Sequence, residues 1–591
     1  MATPLDLICR AYDEGYAALL LTGRSLYDLA TDEGGQMRPL IELLRRQLRA
    51  KHGLHLVTYS LAGGMDWNDS RVEDARDRGT IERALRAHQL LDVPVDQNEL
   101  VRVIRGISSL CRTRADGQNW ITGEPLRFAF LLEFTEHLTP GHLENGTQTD
   151  AQLVASELAY LTAQSLALRT SGNFVLFQAR EGLIDELVAG VLRPVRLVQP
   201  SGDEKAAFLA AARTLYVQAA FGAGLSDESV VHLTTGTPNR GLEHLLRASH
   251  RAQRAVTAEE LVAQKSRDVE SLSEQTLTIL DTARVNGLEL RGQTIAAART
   301  ILEKYADGLR RGDNKLPGSV LLAGAPGVGK TDLALLTAKA AGVAAFQMHS
   351  PKSGLVGETE RRARLQQTVL REWLPNIAFV DEITEAFPLQ RQEFDGDSGA
   401  SRAVTAALLT ALSDETRRGR SLLIGSTNCP WRMGSAMRSR FVVIPVLQPI
   451  RDDLEAIIVT TAARLDARAI LDVADRRLAQ AAGIFYDKGA TPRDIRAALS
   501  HVTLLQPELD ADAVLAAASD FSPSGDPEST IYADLWAVRA CSSRSLLPWS
   551  GNLASFPFPD YLRPFVDHES GEVDIRGLDR RLEELRPHVN V

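Results

Sequence analysis

The stretch LLAGAPGVGKTDLALL, Leu321 to Leu336, decides how the rest of this 591-residue chain is read. Gly324-Ala325-Pro326-Gly327-Val328-Gly329-Lys330-Thr331 fits the pattern G-x-x-x-x-G-K-[ST] in full. An apolar, strand-like run from Ser319 to Leu322 precedes it, and a helix-forming run from Asp332 to Ala341 follows. That is the strand–loop–helix context a phosphate-binding loop requires. Gly327 and Gly329 let backbone N–H groups face phosphate oxygens, and the helix N-terminus adds a favourable field. The pattern gives Lys330 the β- and γ-phosphates and gives the Thr331 hydroxyl a Mg2+ ion. Asp332 counts with the loop as nucleotide-contacting. The expected cofactors are ATP and Mg2+.

Downstream, NIAFVDEITEAF places the apolar run Ile377 to Val380 ahead of Asp381 and Glu382. A buried parallel strand ending in two acids is the Walker-B arrangement. It predicts Asp381 as a Mg2+ ligand and Glu382 as the group that polarises the attacking water. A further strand, SLLIGSTN, runs from Ser421 to Asn428 and ends in a polar side chain at the edge of the sheet where ligands sit. GATPRDIRAAL then begins a helix at Pro492, with Thr491 as its N-cap and Arg493 in its first turn. A cation there opposes the helix dipole, which is easier to explain beside an anionic ligand.

Composition narrows the class. Hydrophobic residues at 44% and charged residues at 24% describe an ordinary globular protein, and the length suggests several domains. No apolar run reaches membrane-spanning length, and the N-terminus lacks a secretion signal, so the expectation is a cytoplasmic protein without membrane contact. Cys9, Cys111, Cys429 and Cys541 are scattered and read as reduced thiols with no metal role. A net charge of −10 argues against a dedicated nucleic-acid binder.

As a set, the phosphate loop, VDEI (380–383), GSTN (425–428), RSRF (438–441) and GATPRDI (489–495) resemble the AAA+ ATPases in order and spacing. The resemblance implies a doubly wound α/β ATPase core with a small helical lid, working as a homo-oligomeric ring, usually a hexamer. It makes Asn428 sensor 1 and Arg493 sensor 2. Arg440 matches the arginine finger that reaches a neighbour's ATP, with Arg438 as a second candidate. Gly292 would line the adenine pocket. SPKSGLVGETERRARL, Ser350 to Leu365, resembles the first pore loop of protein-remodelling members. Its triplet is Leu355-Val356-Gly357, with leucine in the usual aromatic place.

The first half of the chain resembles a second, degenerate copy. AALLLTG (17–23) and LHLVTYSLAGG (54–64) look like buried strands, with the helical PLIELLRRQLRAKHG between them. LRFAFLLEFTEHLTP (126–140) takes the Walker-B place with Glu133 in it, and GNFVLFQAREGLIDELV takes the sensor-1 place. RPVRLVQPSGDEKAAFLAAA and LTTGTPNRGLEHLLRAS resemble the last strand and a lid helix. SLAGGMDWNDS (60–70) is read as the Walker-A place, with glycines but no Gly-Lys pair. An unrelated α/β domain is the competing reading. A dead first domain before an active one is similar to the Ycf-type AAA proteins of plastids and cyanobacteria and their bacterial relatives.

The expected organisation is a tandem α/β fold: a degenerate domain over 1–255 with its lid near 201–255, a helical connector over 256–290, an active core over 291–447, a lid over 448–520, and a C-terminal extension over 521–591. The connector AEELVAQKSRDVESLSEQTLTILDTARV, Ala258 to Val285, is read as helical throughout. The aromatic-rich tail is either a packing arm or a partner-docking surface. The predicted function is a ring-forming ATPase that remodels or threads a protein substrate. The alternatives are a nucleotide-gated scaffold with slow turnover and, less favoured, a nucleic-acid motor.

Overall fold

Short, continuously apolar runs become the strands of two sheets, because a strand covered on both faces has no solvent side to mark with polar residues. The computed structural model describes residues 4–589 except 61, 68–74, 92–96, 113–125, 139–147, 164–167, 169, 181–183, 185, 223–224, 289, 352–357, 388–399, 467–468, 470, 474, 506–507 and 524–525. The chain divides into two units, Met1–Asp268 and Val269–Val591.

In the first unit the strands are β1 (Ala18–Gly23), a small hairpin of β2 (Leu29–Thr31) and β3 (Met37–Pro39), β4 (Leu54–Ser60), β5 (Gly64–Asp66), β6 (Arg127–Leu132), β7 (Phe174–Gln178) and β8 (Arg193–Leu197). The main sheet has the order β5-β4-β6-β7-β1-β8. Its pairings are parallel except that of β5 with β4. The amphipathic helix Leu40–His52 turns Leu40, Leu44 and Leu48 into one apolar cluster with Leu19, Leu21 and Leu54.

The second unit contributes β9 (Leu277–Ile279), β10 (Ser319–Ala323), β11 (Ala344–Met348), β12 (Asn376–Val380), β13 (Ser421–Thr427) and β14 (Val442–Pro445), in the order β14-β10-β13-β12-β11-β9. Again only the edge strand, β9 on β11, runs antiparallel. With the antiparallel edge strand set aside, both sheets read fifth–first–fourth–third–second in order along the chain. Helices Arg451–Leu465, Arg476–Asp487, Pro492–Leu505 and Ala511–Asp520 bury Ile458, Phe485, Leu499 and Val514 in a core of their own.

Two readings need correction. In the first sheet β1, not β4, holds the place in the strand order that β10 holds in the second, so the reading of residues 60–70 as the Walker-A place does not follow the strand order. The stretch 258–285 is α-helical only to Leu272; Leu277–Ile279 leaves it to pair with β11, and Thr282–Val285 forms a single 3-10 turn. Of the two readings of the C-terminal aromatics, packing within the protein holds: Trp549, Phe556 and Phe558 are buried in the same cluster as Phe441, Val443 and Val380. Among the described residues no helix is long and apolar enough to cross a membrane. Leu355, Val356 and Gly357 lie outside the described residues.

Candidate nucleotide site

Strand β10 is buried at every position and delivers the chain to Gly324 at the carboxyl edge of the sheet. A Cβ on Gly324 would lie 1.9 Å from the Val446 carbonyl oxygen, and its φ of +155° also excludes other residues, so glycine alone fits here. Helix Lys330–Ala341 then starts from Gly329, with Gly327, Val328 and Gly329 forming the turn. Ala325 and Val328 are buried under the loop, and Pro326 is exposed. Its phosphate-facing lysine is folded back: Lys330 Nζ donates to Gly324 O at 2.9 Å, Ala325 O at 2.6 Å and Asn428 Oδ1 at 2.5 Å. Burial pushes its pKa down to about 8, against the pull of Glu382, Asp534 and Asp381.

The acids stand at the end of the third strand. Thr331 Oγ1 lies 3.5 Å from both carboxylate oxygens of Asp381. A hydroxyl and a carboxylate in one small space are hard oxygen donors, the set Mg2+ takes when waters and phosphates supply its other ligands. Glu382 follows with φ +45°, an uncommon value for a side-chain-bearing residue. Asn428 holds it from β13: the Nδ2 group donates to Glu382 Oε1, and the backbone N–H donates to Oε2 at 3.2 Å. Burial raises the Glu382 carboxyl above its ordinary value, opposed by the Asn428 N–H and the Lys330 ammonium. A carboxylate tuned this way is a better proton acceptor near neutrality.

The helical subdomain closes over the loop. Thr491 Oγ1 and the Arg493 Cβ would meet a side chain on Gly327 at 2.6 and 3.0 Å, so glycine there lets the helix N-terminus approach. Thr491 and Asp494 cap that helix reciprocally: Thr491 N donates to Asp494 Oδ2 at 2.9 Å, and Asp494 N donates to Thr491 Oγ1 at 3.4 Å. Arg493 is exposed beside the loop. Asp332 is half-buried, its carboxyl raised by burial and opposed by Arg464, Arg496 and Arg493. Gly292 starts helix Gln293–Arg311, while Leu290 and Ile295 stand beside Gly329.

Sequence reasoning missed several supports. Ser426 Oγ donates to Asp381 Oδ1 at 2.5 Å and accepts from Glu382 N at 3.1 Å, so one buried hydroxyl holds both acids. Asp453 accepts from Gln293 N at 2.8 Å, capping the helix that Gly292 opens. Asp534 accepts from Ala325 N at 3.2 Å. The two arginines of RSRF part company. Arg440 is exposed, with Nε on Ser413 Oγ at 3.0 Å and Nη1 on Ala436 O at 2.5 Å. The Arg438 guanidinium lies 6.0 Å from the centre of the Trp536 ring.

The sequence model of the family described as "ATPase family associated with various cellular activities (AAA)" matches residues 320–448. Protein SAV of Sulfolobus acidocaldarius is 36% identical over 124 residues, which is 21% of this chain and 16% of that protein. Human fidgetin-like protein 1 is 34% identical over 130 residues, 21% of this chain and 19% of that protein. The cell division cycle protein 48 homolog of Archaeoglobus fulgidus is 32% identical over 148 residues, 25% of this chain and 20% of that protein. The chain thus spans a fifth or less of the curated relatives it matches. The crystal structure of the FIGL-1 AAA domain aligns with 46% of this chain and 95% of that one, at 20% identity and a TM-score of 0.38. The chain contains an AAA-family ATPase domain, and that domain is a nucleotide-binding one.

Proposed function

We propose that this chain, whose second unit carries an AAA-family ATPase domain, is a ring-forming ATPase that uses hydrolysis in that unit to remodel or thread a protein substrate. The observation that carries the reading is the assembled catalytic group: Lys330, Thr331, Asp381, Glu382 and Asn428 stand together at one sheet edge. Thr331 and Asp381 would hold Mg2+, which supplies neutralising charge for the phosphates when bound. Lys330 leaves the loop carbonyls for the β- and γ-phosphates, a step its burial favours because the new partners are anions. Glu382, oriented by Asn428, accepts a proton from the attacking water. Arg493 adds positive charge at the mouth of the site. Gly292, with Leu290 and Ile295, borders the place for the base.

The first unit, with the same parallel-strand order, is read as a copy of this architecture that no longer takes nucleotide. The remaining charge is supplied across a subunit boundary within a hexamer: Arg440, exposed on the loop before β14, is the finger, and Leu355-Val356-Gly357 contacts the substrate. Turnover per subunit is then expected to rise with protein concentration, and Arg440→Ala to bind ATP while losing that rise. Arg438→Ala alone having this effect would move the finger to Arg438. Stimulation of turnover by an unfolded protein and not by single-stranded DNA supports the remodelling role; the reverse result overturns it.

A further inference from the structure

Helix Pro527–Ala540 belongs to the C-terminal extension, yet it touches three separate parts of the nucleotide site. Asp534, 1% exposed, accepts from Ala325 N in the phosphate loop at 3.2 Å. Its other oxygen accepts from Gln448 N at 3.0 Å, where the chain leaves β14 for the helical subdomain, and from the Tyr561 hydroxyl at 2.6 Å. Tyr532 packs edge-on against Trp431, with ring centres 4.8 Å apart, just beyond Asn428. Trp536, one turn further along, is the ring beneath Arg438.

We propose that this helix couples occupancy of the phosphate loop to the helical subdomain and to the RSRF loop, with Asp534 as the positioning residue. The inference rests on the ATPase reading above. Its physical basis is a single peptide unit. The bond joining Gly324 to Ala325 has its N–H on Asp534 and its C=O on Lys330. A buried peptide held between a carboxylate and an ammonium is polarised from both ends, and each hydrogen bond strengthens the other. A nucleotide that draws Lys330 to its phosphates removes one end of this arrangement, which weakens the hold of Asp534 on the loop. The same carboxylate anchors Gln448, so the subdomain hinge responds to the same event. Tyr532 and Trp536 carry the displacement of the helix to Trp431 and Arg438, both in the segment that joins β13 to β14.

Asp534→Asn tests this directly. An amide can accept from only one of Ala325 N and Gln448 N, while Tyr561 can reverse its hydroxyl to keep the third contact. The expected result is a fall of about tenfold in Kd for a fluorescent ADP analogue and in KM for ATP, because the amide has already loosened the tether that nucleotide binding must weaken, with kcat changed less than about twofold. Tyr561→Phe removes a hydrogen bond from the same buried cluster and leaves both tethers. It is expected to lower Tm without moving KM or Kd. Equal nucleotide affinity in wild type and folded Asp534→Asn overturns the proposal, as does an equal KM change in Tyr561→Phe. If Asp534→Asn does not fold, hydrogen exchange on the wild-type protein decides: ADP is expected to alter exchange in 527–540 together with the loop, and protection confined to the loop overturns the coupling. A wild-type protein that neither binds nor hydrolyses ATP refutes the ATPase reading instead.

Discussion

Both sheets end their first strand in a glycine pressed on a carbonyl at the end of the fifth: a Cβ on Gly23 would sit 2.4 Å from Leu197 O, and one on Gly324 1.9 Å from Val446 O. Both leave their third strand through a residue at positive φ, Phe134 at 52° and Glu382 at 45°. Beyond those shared corners the two units diverge. In the second, the loop after the glycine is short, and among the described residues its lysine donates to the loop's own carbonyls and Asn428. In the first, residues 24–39 run into the β2–β3 hairpin, and their buried charges are met by groups of the same unit. Arg24, 1% exposed, donates to Asp28 at 2.7 Å, Glu204 at 2.6 Å and Leu29 O at 2.8 Å. Asp28 also accepts from Arg240 N at 2.9 Å, at the start of helix Asn239–Ala252. A carboxylate from the chain thus occupies a helix N-terminus beside the first strand, the kind of position an anion favours. In the first unit the chain's own side chains thus fill the space after the first strand.

The sharpest break between the units should be catalytic. Glu382→Gln is expected to lower turnover by on the order of a thousandfold while ATP stays bound, because a general base is lost and the loop is not. Glu133→Gln, at the corresponding strand end of the first unit, should leave turnover within about twofold of wild type. Steady-state hydrolysis of both variants checks this, and a collapse in Glu133→Gln would erase the contrast. The next effect is structural. Asp28→Ala strips Arg24 of its buried partner and is expected to destabilise the first unit by about 3 kcal/mol. Chemical denaturation monitored by a probe in that unit would read it; an unchanged midpoint would mean the ion network is not what closes the segment.

The phosphate loop and the acids were legible because their chemistry demands fixed residue types at fixed spacing, and Lys330, Asp381 and Glu382 stand where the spacing puts them. The first unit was harder for a physical reason. Gly63 and Gly64 read as a phosphate-contacting turn because glycine-rich turns carry that signal, whereas the strand that holds the central place in the sheet order ends at Gly23 and is followed by ordinary charged residues. The three-residue strand β9 carried too few residues to override the helix-forming composition around it. Asp534 was illegible altogether: it is one acid in a helix far along the chain, and only folding brings it to Ala325.

Ser426 sharpens the comparison at a smaller scale. In a buried strand a serine reads as filler, yet its hydroxyl spans Asp381 and the backbone of Glu382 at its positive φ. Ser426→Ala keeps the volume nearly unchanged and leaves the Glu382 N–H without its partner. The expected outcome is a fall of about tenfold in kcat with KM for ATP unchanged, and a higher Mg2+ concentration for half-maximal rate. Titration with Mn2+ followed by electron paramagnetic resonance would show the weakened cation site without turnover. Wild-type kcat and cation affinity in this variant would reduce Ser426 to packing.

The smallest effect belongs to Lys205, which is fully buried in the first unit with Nζ donating to Thr237 Oγ1 and Pro238 O, both at 3.2 Å. Burial lowers its pKa from 10.5 to about 7, with Asp28, Asp268 and Glu204 pulling it up and Arg24 pushing it down. Between about 7 and 10.5 the unfolded chain holds a proton that the folded unit does not, so stability rises with pH across that window and is flat with respect to this group outside it. One proton limits the slope to about 1.4 kcal/mol per pH unit. Lys205→Met removes the titration, so its stability should lack that rise when the two proteins are unfolded in parallel from pH 7 to 10. Parallel curves would mean that Lys205 stays charged in the fold. The carboxylates Asp28, Asp268 and Glu204 would then hold it as an ion across the whole window.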